Sequence, residues 1–262
     1  MGALPRLLTI PLSHYCEKAR WALDRSRIAC REEPHIPLLH RLHTARIGCR
    51  SVPVLVTGSE ILPDSHSIVR WATTHGSDRL YPVEAALCGK VLEVERYVDR
   101  ELGPHVRRWA YSYLLGEPGL LAPCFARNVT RLERLLAPMV VQAARPLIRR
   151  AYRVDEATGR ASLARAEEAL AEVARWLADG RTYLVGDSFT AADLAFASLA
   201  APLVCAPQYG GAMPPYDSLP APMRSDIERL RASRSGAFVL ELYARERAKS
   251  QRGHTPNRKA SR

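Results

Sequence analysis

A serine, a tyrosine and a cysteine lie close together near the N-terminus, in the segment TIPLSHYCEKARWALD of residues 9–24. This pattern predicts a short strand, a tight turn and a helix whose N-terminus holds Ser13, Tyr15 and Cys16. Free backbone N–H groups and the helix dipole favour an anion at such a terminus, including a thiolate. A serine that merely caps the helix explains the same pattern, so both interpretations stay open on this segment alone.

Val52 and Pro53 begin a second candidate segment, SVPVLVTG of residues 51–58. Its β-branched residues predict a strand, and a proline at the first position of a strand does little harm to the ladder. A cis bond before Pro53 would expose the backbone N–H and C=O of Val52 to an extended peptide ligand, although most X-Pro bonds are trans. The segment therefore predicts a main-chain binding edge if the bond is cis.

Asp64 and Ser65 form a third candidate, in LPDSHSI of residues 62–68, where another helix is predicted to begin. Helix capping accounts for both residue types. An acid beside a hydroxyl and free amides can also hold an α-amino group together with an α-carboxylate. Capping and ligand binding are both compatible with this motif.

All three candidates fall in a predicted α/β unit that ends near residue 80. The expected order is a strand over 7–11, a helix to about residue 25, a second strand over 33–38, a basic irregular loop over 40–50, a hairpin over 51–62 and a helix opening at 63–65. The polar, proline-containing stretch 78–82 has the composition of a linker.

Beyond residue 80 the sequence predicts helices, over 84–115, 123–152, 162–179 and 190–204, followed by a Pro/Gly-rich loop over 206–222 and two short helices. The second could bend at Pro138 or Pro146. Thr190 and Asp193, in GDSFTAADLAFASLA, have the spacing of a capping box, for which we predict a structural role. Residues 245–262 carry seven Lys/Arg against one Glu and are predicted to be a disordered tail.

Taken together, these motifs resemble the glutathione transferase superfamily in its serine-type members. Those proteins have S-x-x-C/S-x-K/R-V/A-R at helix one, then V-P-x-L, then E/D-S-x-A/S-I, and here the segments read SHYCEKAR, VPVL and DSHSI. The G-x-x-x-[ST]-x-x-D element of the second domain also matches, whereas residues 102–152 and the tail are unmatched in detail. The resemblance implies a thioredoxin-like, glutathione-binding domain over 1–80, an all-helical domain over 81–244 and the basic tail over 245–262.

The resemblance also implies roles for the candidate residues. Ser13 would be the catalytic residue, donating a hydrogen bond to the glutathione sulfur and so favouring the thiolate. Val52, ahead of a cis Pro53, would pair main chain to main chain with the cysteinyl unit of glutathione. Asp64 and Ser65 match the pair that binds the γ-glutamyl group. Glutathione is thus the expected cosubstrate, and no metal is expected.

Tyr15 and Cys16 are alternative activators of the thiol. The tyrosine of tyrosine-type transferases lies at the end of strand one, so Tyr15 is better interpreted as a packing residue here. The cysteine of cysteine-type members occupies the position of Ser13, and Cys16 lies one turn deeper in the helix. The resemblance further suggests that the glycine carboxylate of glutathione meets the basic loop that contains Arg46 and Arg50.

Two functions are compatible with these motifs. The first is a detoxifying enzyme that joins the glutathione thiolate to a small hydrophobic electrophile, bound between residues 12–15 and the two long helices, near Arg108, Tyr111 and Tyr113. The alternative is a ligand carrier or interaction protein that kept the fold without turnover. The family implies a homodimer. The basic stretch with Arg145, Arg149, Arg150 and Arg153 could meet a membrane or an acidic partner, but a solvated face is the more common explanation.

Composition limits the other classes. The 262 residues include 47% hydrophobic and 25% charged residues, as in ordinary globular proteins. The six scattered cysteines form no zinc pattern, and the N-terminus has no signal-peptide pattern, so we expect reduced thiols in the cytoplasm. The apolar stretch 189–204 is too short to span a membrane. The net charge of +11 would suit nucleic acid, but much of the excess lies in the tail without interleaved aromatics, so no nucleic-acid partner is expected.

Overall fold

The structure is a computed structural model that describes residues 3–252. Its N-terminal part contains β1 (Arg6–Thr9), α1 (His14–Arg25), β2 (Arg31–Pro34), α2 (Leu39–Ala45), β3 (Val54–Val56), β4 (Ile61–Leu62) and α3 (Ser65–His75). The sheet has the order β2-β1-β3-β4, with β1 parallel to β2 and antiparallel to β3. This is the thioredoxin-like arrangement that the sequence predicted, and α1 and α3 pack against each other beside the sheet.

The rest of the described chain is helical, as predicted. Its helices are α4 (Ala85–Glu101), α5 (Gly103–Leu114), α6 (Pro118–Phe125), α7 (Arg131–Tyr152), α8 (Glu156–Trp176), α9 (Ala191–Val204), α10 (Ala221–Arg231) and α11 (Arg234–Leu242). The apolar helix α9 is buried almost throughout and packs against α1, α4, α5, α10 and α11. Because α9 touches α1 directly, the core of the helical part continues into the helix that begins at Ser13.

Several element bounds differ from the predictions. The loop predicted over 40–50 contains α2, and the strand predicted over 33–38 is β2 at 31–34. β2 is an edge strand with the sequence REEP, so it lacks the apolar alternation that reveals a half-buried strand. The helix predicted over 84–115 is divided at Leu102, because Pro104 has no backbone N–H to donate to the preceding turn. Helix α7, by contrast, continues through Pro138 and Pro146.

The prediction of a disordered tail from residue 245 is wrong for its first residues. A π-helical turn (Tyr243–Arg247) and α12 (Ala248–Arg252) continue the helical chain. Arg247 is buried against α1, where it pairs with Glu17 and Asp24. A count of charges cannot reveal this, since the buried acid that holds Arg247 is more than two hundred residues away in the sequence. The remainder of the predicted tail, 253–262, lies outside the described residues.

Polar contacts also join the thioredoxin-like part to the helical part. Lys18 on α1 is fully buried and pairs with Glu95 and Asp99 on α4, at 3.0 and 2.7 Å. His35, just after β2, bonds to Glu133 on α7 at 2.7 Å. These pairs fix the relative position of the elements on either side of the candidate site. Over the described residues, no helix has both the length and the apolar character needed to cross a membrane.

Candidate active site

A cavity of about 440 Å³ lies between the thioredoxin-like part and the helices. Ser13, Tyr15, Arg50 and Val52 line its thioredoxin-like side, and residues of α5 and α7 line the opposite side. The predicted sulfur-activating end of α1 and the predicted main-chain binding edge therefore face one space. The cavity is of ordinary size for a small-molecule site.

Ser13 occupies the N-cap position of α1. Its φ and ψ of −72° and 123° are extended, and its Oγ accepts a hydrogen bond from the backbone N–H of Cys16 at 3.3 Å. The hydroxyl thus caps the helix, as one interpretation of the motif required. The side chain is half-buried and lines the cavity, so it can also meet a ligand.

Cys16 and Tyr15 differ from Ser13 in their surroundings. Cys16 is fully buried and does not line the cavity, and burial raises the pKa of its thiol despite the charge of Arg20 and a hydrogen bond with Ser13. Tyr15 lines the cavity, but its hydroxyl donates to the backbone carbonyl of Asp99 at 3.2 Å, and burial raises its pKa. Cys16 therefore does not reach the cavity, and the Tyr15 hydroxyl already donates its proton to a carbonyl, so neither group is as well placed as Ser13 to donate to a ligand sulfur.

The Val52–Pro53 peptide bond is cis, so the isomer that the sequence left open is settled. Val52 is half-buried and lines the cavity, whereas Pro53 is buried behind it at the start of β3. Val52 therefore borders the cavity on the same side as Ser13.

Asp64 and Ser65 lie at the start of α3, outside the lining of this cavity. Asp64 is exposed, and its Oδ1 accepts a hydrogen bond from the Ser67 backbone N–H at 2.8 Å; Ser67 Oγ lies 3.4 Å from the Asp64 backbone N–H, which completes a capping box. Ser65 is buried. The capping interpretation of this motif is thus confirmed, while its role toward a ligand stays a prediction.

An ionic cluster around the buried Glu95 supports this helix start, and no sequence pattern predicts it. His66 Nδ1 lies 3.0 Å from Glu95 Oε2, which also accepts a hydrogen bond from the Tyr81 hydroxyl at 2.7 Å. Burial alone would raise the pKa of Glu95, but Lys18 and His66 hold that pKa at about 2. The carboxylate is therefore ionised at neutral pH and links α3, α1 and α4.

The prediction of which residues line the helical side of the cavity is partly wrong. Tyr111 does line it, but Arg108 does not: its guanidinium donates to the Tyr152 carbonyl at 2.8 Å and to Ser162 at 3.1 Å. Tyr113 donates to Asp226 at 3.1 Å and does not line the cavity either. The arginine that faces the cavity from this helix is Arg107.

Four arginines line the cavity altogether: Arg41, Arg50, Arg107 and Arg150. Arg50 was a predicted partner of the glycine carboxylate, whereas Arg46 from the same basic segment is exposed outside the lining. His14 also lines the cavity, and burial together with the charge of Arg107 lowers its pKa to about 3, so it is neutral at pH 7.

Thr190 and Asp193 have the structural role that we predicted. Asp193 is fully buried, and its carboxylate accepts hydrogen bonds from the Thr190 backbone N–H at 2.9 Å, the Thr190 hydroxyl at 3.0 Å and the Leu184 backbone N–H at 2.8 Å. The pair lies outside the cavity lining. It joins the loop before α9 to the first turn of that helix.

A group of three potential metal ligands, His35, His43 and Glu133, lies outside the cavity lining. Glu133 already uses one oxygen for His35 Nδ1 and the other for the Ile36 backbone N–H, at 2.7 and 2.9 Å. The rings of His35 and His43 are stacked with centroids 3.7 Å apart, and stacked rings direct their nitrogen lone pairs side by side rather than toward one point. We therefore assign no metal to this group.

Comparison with known families agrees with this architecture. A family model for the glutathione S-transferase N-terminal domain matches residues 7–78, and one for the C-terminal domain matches residues 136–220. The fold defines a class of two-domain proteins in which a thioredoxin-like domain is followed by a helical domain. The chain belongs to the glutathione transferase superfamily. No curated protein sequence matches it significantly.

Solved structures with the same fold include the β-etherase LigF from Sphingobium sp. strain SYK-6, at 14% identity and a TM-score of 0.58, over 91% of this chain and 99% of that chain. Glutathione transferase F7 from Populus trichocarpa matches at 14% identity with a TM-score of 0.55, over 91% and 98%. Glutathione S-transferase III in its apo form matches at 19% identity with a TM-score of 0.53, over 91% and 96%. At these identities the likeness establishes the fold alone.

Proposed function

We propose that this chain is an enzyme that binds glutathione and joins it, through its sulfur, to a small electrophile. The observation that carries the proposal is that Ser13 and Val52 line one cavity. A tripeptide paired with the Val52 main chain can place its thiol near the start of α1. The helix dipole and the Ser13 hydroxyl then favour the thiolate over the thiol.

The chemistry requires little beyond this activation. The thiolate sulfur attacks an electrophilic carbon, an S–C bond forms, and a leaving group departs with its bonding electron pair. The two sides of the cavity hold the reactants together, which supplies the orientation that a reaction in free solution lacks. Asp64 and Ser65 would bind the γ-glutamyl end of glutathione, and Arg50 its glycine carboxylate.

Two measurements test the proposal. Calorimetric titration should show that glutathione binds, and mixing with a chloro-nitroaromatic electrophile should release chloride faster than the uncatalysed reaction does. Binding without turnover on a panel of electrophiles would favour the alternative, a carrier that retains the fold without catalysis. If the protein binds no glutathione, both the transferase function and a glutathione carrier are excluded.

We further propose a cytoplasmic homodimer that acts in detoxification. All six cysteines are unpaired in the structure, which suits a reducing compartment. The homodimer rests on the family alone and can be tested by light scattering. A monomer at micromolar concentration would contradict it.

A further inference from the structure

Arg107 occupies an unusual position in the cavity wall. It is half-buried on α5, and its guanidinium lies 4.1 Å from the ring centroid of Tyr152 and 5.8 Å from that of Tyr15. Among the residues that the structure describes, no carboxylate pairs with it and no group accepts a hydrogen bond from it. Its neighbour Arg108, by contrast, has two acceptors. A cation that is partly withdrawn from water and faces a cavity without an acid is suited to receive an anion from that cavity.

The rest of the lining leaves this positive charge uncompensated. None of the lining residues in the described chain is Asp or Glu, and the cavity also contains Arg41, Arg50 and Arg150. Its two histidines contribute no charge at pH 7, because burial lowers the pKa of His14 to about 3 and that of His40 to about 4. Among the side chains of the lining, arginines alone therefore contribute positive charge.

The arginines fall on two sides. Arg41 lies on α2 and Arg50 just before Val52, on the side where we place the glycine carboxylate of glutathione. Arg107 on α5 and Arg150 on α7 lie on the helical side. The γ-glutamyl end of glutathione is assigned to Asp64 and Ser65, outside this lining. Glutathione thus leaves the two arginines of the helical side for another anion.

Apart from Arg150, the wall around Arg107 is apolar and aromatic. The rings of Tyr111 and Tyr152 lie 5.9 Å apart, and the remaining helical-side residues are mostly aliphatic or sulfur-containing, among them Leu114, Ile148 and Met223. Burial raises the pKa of Tyr111, so its phenol stays protonated. Its hydroxyl has no hydrogen-bond partner within the described part of the chain, and it can donate to a ligand.

We infer that the second substrate of this site is an aromatic anion, a ring compound with a carboxylate or sulfonate that binds Arg107. The inference rests on the proposed function in one respect, that glutathione occupies the thioredoxin-like side. The apolar wall accepts the ring, Arg107 forms a bidentate pair with the anionic group, and Arg150 adds attraction at the opening. A neutral electrophile of the same shape lacks the ion pair and binds less tightly.

A matched pair of electrophiles tests this assignment. A chloro-dinitrobenzoate and its methyl ester react by the same step, in which the glutathione sulfur bonds to the ring carbon and chloride leaves with the electron pair. We divide kcat/KM for each compound by the rate constant of its uncatalysed reaction. This ratio should be at least about tenfold higher for the acid than for the ester, because the acid has the lower KM. Arg107→Met should remove that preference, so that the acid and the ester have similar kcat/KM values relative to their uncatalysed rates. Arg149→Met, an exposed arginine on α7 outside the lining, is the matched control and should change neither.

Further outcomes separate the roles that Arg107 could have. If Arg107→Met slows acid and ester equally and raises the pKa of the bound glutathione thiol, Arg107 serves the thiolate and the inference is overturned. An unchanged acid preference also overturns it. Arg107→Lys, which keeps the charge and loses the planar fork, should retain part of the preference and covers the case in which the Met variant does not fold.

Binding without turnover distinguishes this inference from the proposed function. Unreactive nitrobenzoate, titrated calorimetrically into the full chain, should bind at least about tenfold more tightly than its methyl ester, and Arg107→Met should abolish the difference. If no electrophile turns over and this difference is still found, the anion site stands although the transferase function fails. If conjugation occurs and nitrobenzoate shows no advantage over the ester, the transferase function stands and the anion site is excluded.

Discussion

Arg247 donates from Nε to Glu17 Oε1 across 2.9 Å, and both side chains are buried. The bond joins the last described turns of the chain to the first turn of α1, the helix that Ser13 caps. Arg247 also bonds to Asp24 at 2.7 Å and lies over the ring of Trp21. The C-terminal helical segment is therefore part of the support of the candidate site, although its charge suggested a solvated tail.

We expect Arg247→Met to lower the stability of the protein markedly. The change leaves Glu17 buried without its closest cation, and loss of one partner of a buried pair costs about 3–5 kcal/mol. Thermal or denaturant unfolding measures the effect. Arg245→Met is the matched control and should cost less stability, because Arg245 is about one-third exposed and its partner Glu246 keeps a second cation in Arg25.

A double variant checks that the cause is the unpaired charge. Glu17→Gln combined with Arg247→Met removes both charges, so it should be more stable than Arg247→Met alone. If Arg247→Met unfolds at the wild-type temperature, the buried pair contributes nothing measurable.

Asp193 should affect folding and hardly affect chemistry. Asp193→Ala leaves the Leu184 and Thr190 backbone N–H groups without their acceptor in the core, and each unsatisfied buried donor costs about 1–3 kcal/mol. We expect a lower melting temperature with the activity per folded molecule retained. A variant that melts like the wild type would contradict the capping role.

The same carboxylate predicts a dependence of stability on pH. Burial raises the pKa of Asp193 to about 6, above its ordinary value of 3.8. Between these two values the folded chain holds the proton and the unfolded chain releases it, so this group makes the protein less stable as pH rises from about 4 to about 6. Above that window the effect is constant. The difference in melting temperature between wild type and Asp193→Asn, measured across pH 4–7, should show this slope, and a flat difference would contradict it.

The elements that the sequence predicted best are those whose signal is local. Ser13 before α1, Asp64 before α3 and Thr190 before α9 are cap residues, and each side chain bonds to the residue three positions further along the chain. Such contacts depend on residue type and spacing along the chain, so they can be predicted from the sequence. The same holds for the apolar run of α9, whose burial follows from its composition.

Contacts between distant segments were missed for the opposite reason. Glu95 and Lys18 are 77 positions apart, and only the packing of α4 on α1 brings them together. On α5 the amphipathic pattern favoured Arg108, whereas Arg107 faces the cavity. Adjacent residues on a helix point about 100° apart. Because the helix breaks at Leu102, a pattern that assumes one continuous helix over 84–115 assigns the wrong face to the residues that follow.

Asp64 and Ser65 should each contribute to glutathione binding. Asp64→Asn removes the charge but keeps a side chain that caps a helix as well as aspartate does. Hydrogen bonds to charged groups contribute about 1.5–3 kcal/mol, so we expect affinity to fall about tenfold or more, and likewise for Ser65→Ala. Calorimetric titration with glutathione measures both.

Ser67→Ala is the control for these variants. It removes the other half of the capping box at the start of α3 and leaves the Asp64 carboxylate in place. Its glutathione affinity should therefore stay near that of the wild type in a slightly less stable protein. Wild-type affinity in Asp64→Asn and Ser65→Ala would exclude this end of α3 from the site.

The Ser13 and Cys16 variants decide which group activates the thiol. Ser13→Ala leaves Val52, Asp64 and Ser65 in place, so glutathione should still bind, but the pKa of the bound thiol should rise. Conjugation at neutral pH then slows, and part of the rate returns as pH rises toward about 8.5, where a free thiol ionises unaided.

The capping role of Ser13 requires a second variant. Ser13 Oγ also accepts the Cys16 backbone N–H, so Ser13→Ala costs about 0.5–2 kcal/mol of stability in addition to its effect on the thiol. Glycine at an N-cap costs only a few tenths of a kcal/mol relative to serine. If the hydroxyl itself activates the thiol, Ser13→Gly and Ser13→Ala should slow conjugation alike although they differ in stability.

Cys16→Ser should leave conjugation largely intact, because the thiol is buried, its pKa is raised by that burial, and it does not line the cavity. Ser13→Cys should instead change the chemistry. A thiol at a helix N-terminus has a lowered pKa, so with oxidised glutathione its thiolate attacks the disulfide, forms a mixed disulfide at residue 13 and releases one glutathione thiolate. Mass spectrometry would detect this adduct. If Ser13→Ala conjugates at the wild-type rate at neutral pH, or if a folded Cys16→Ser loses activity, Ser13 is not the residue that activates the thiol.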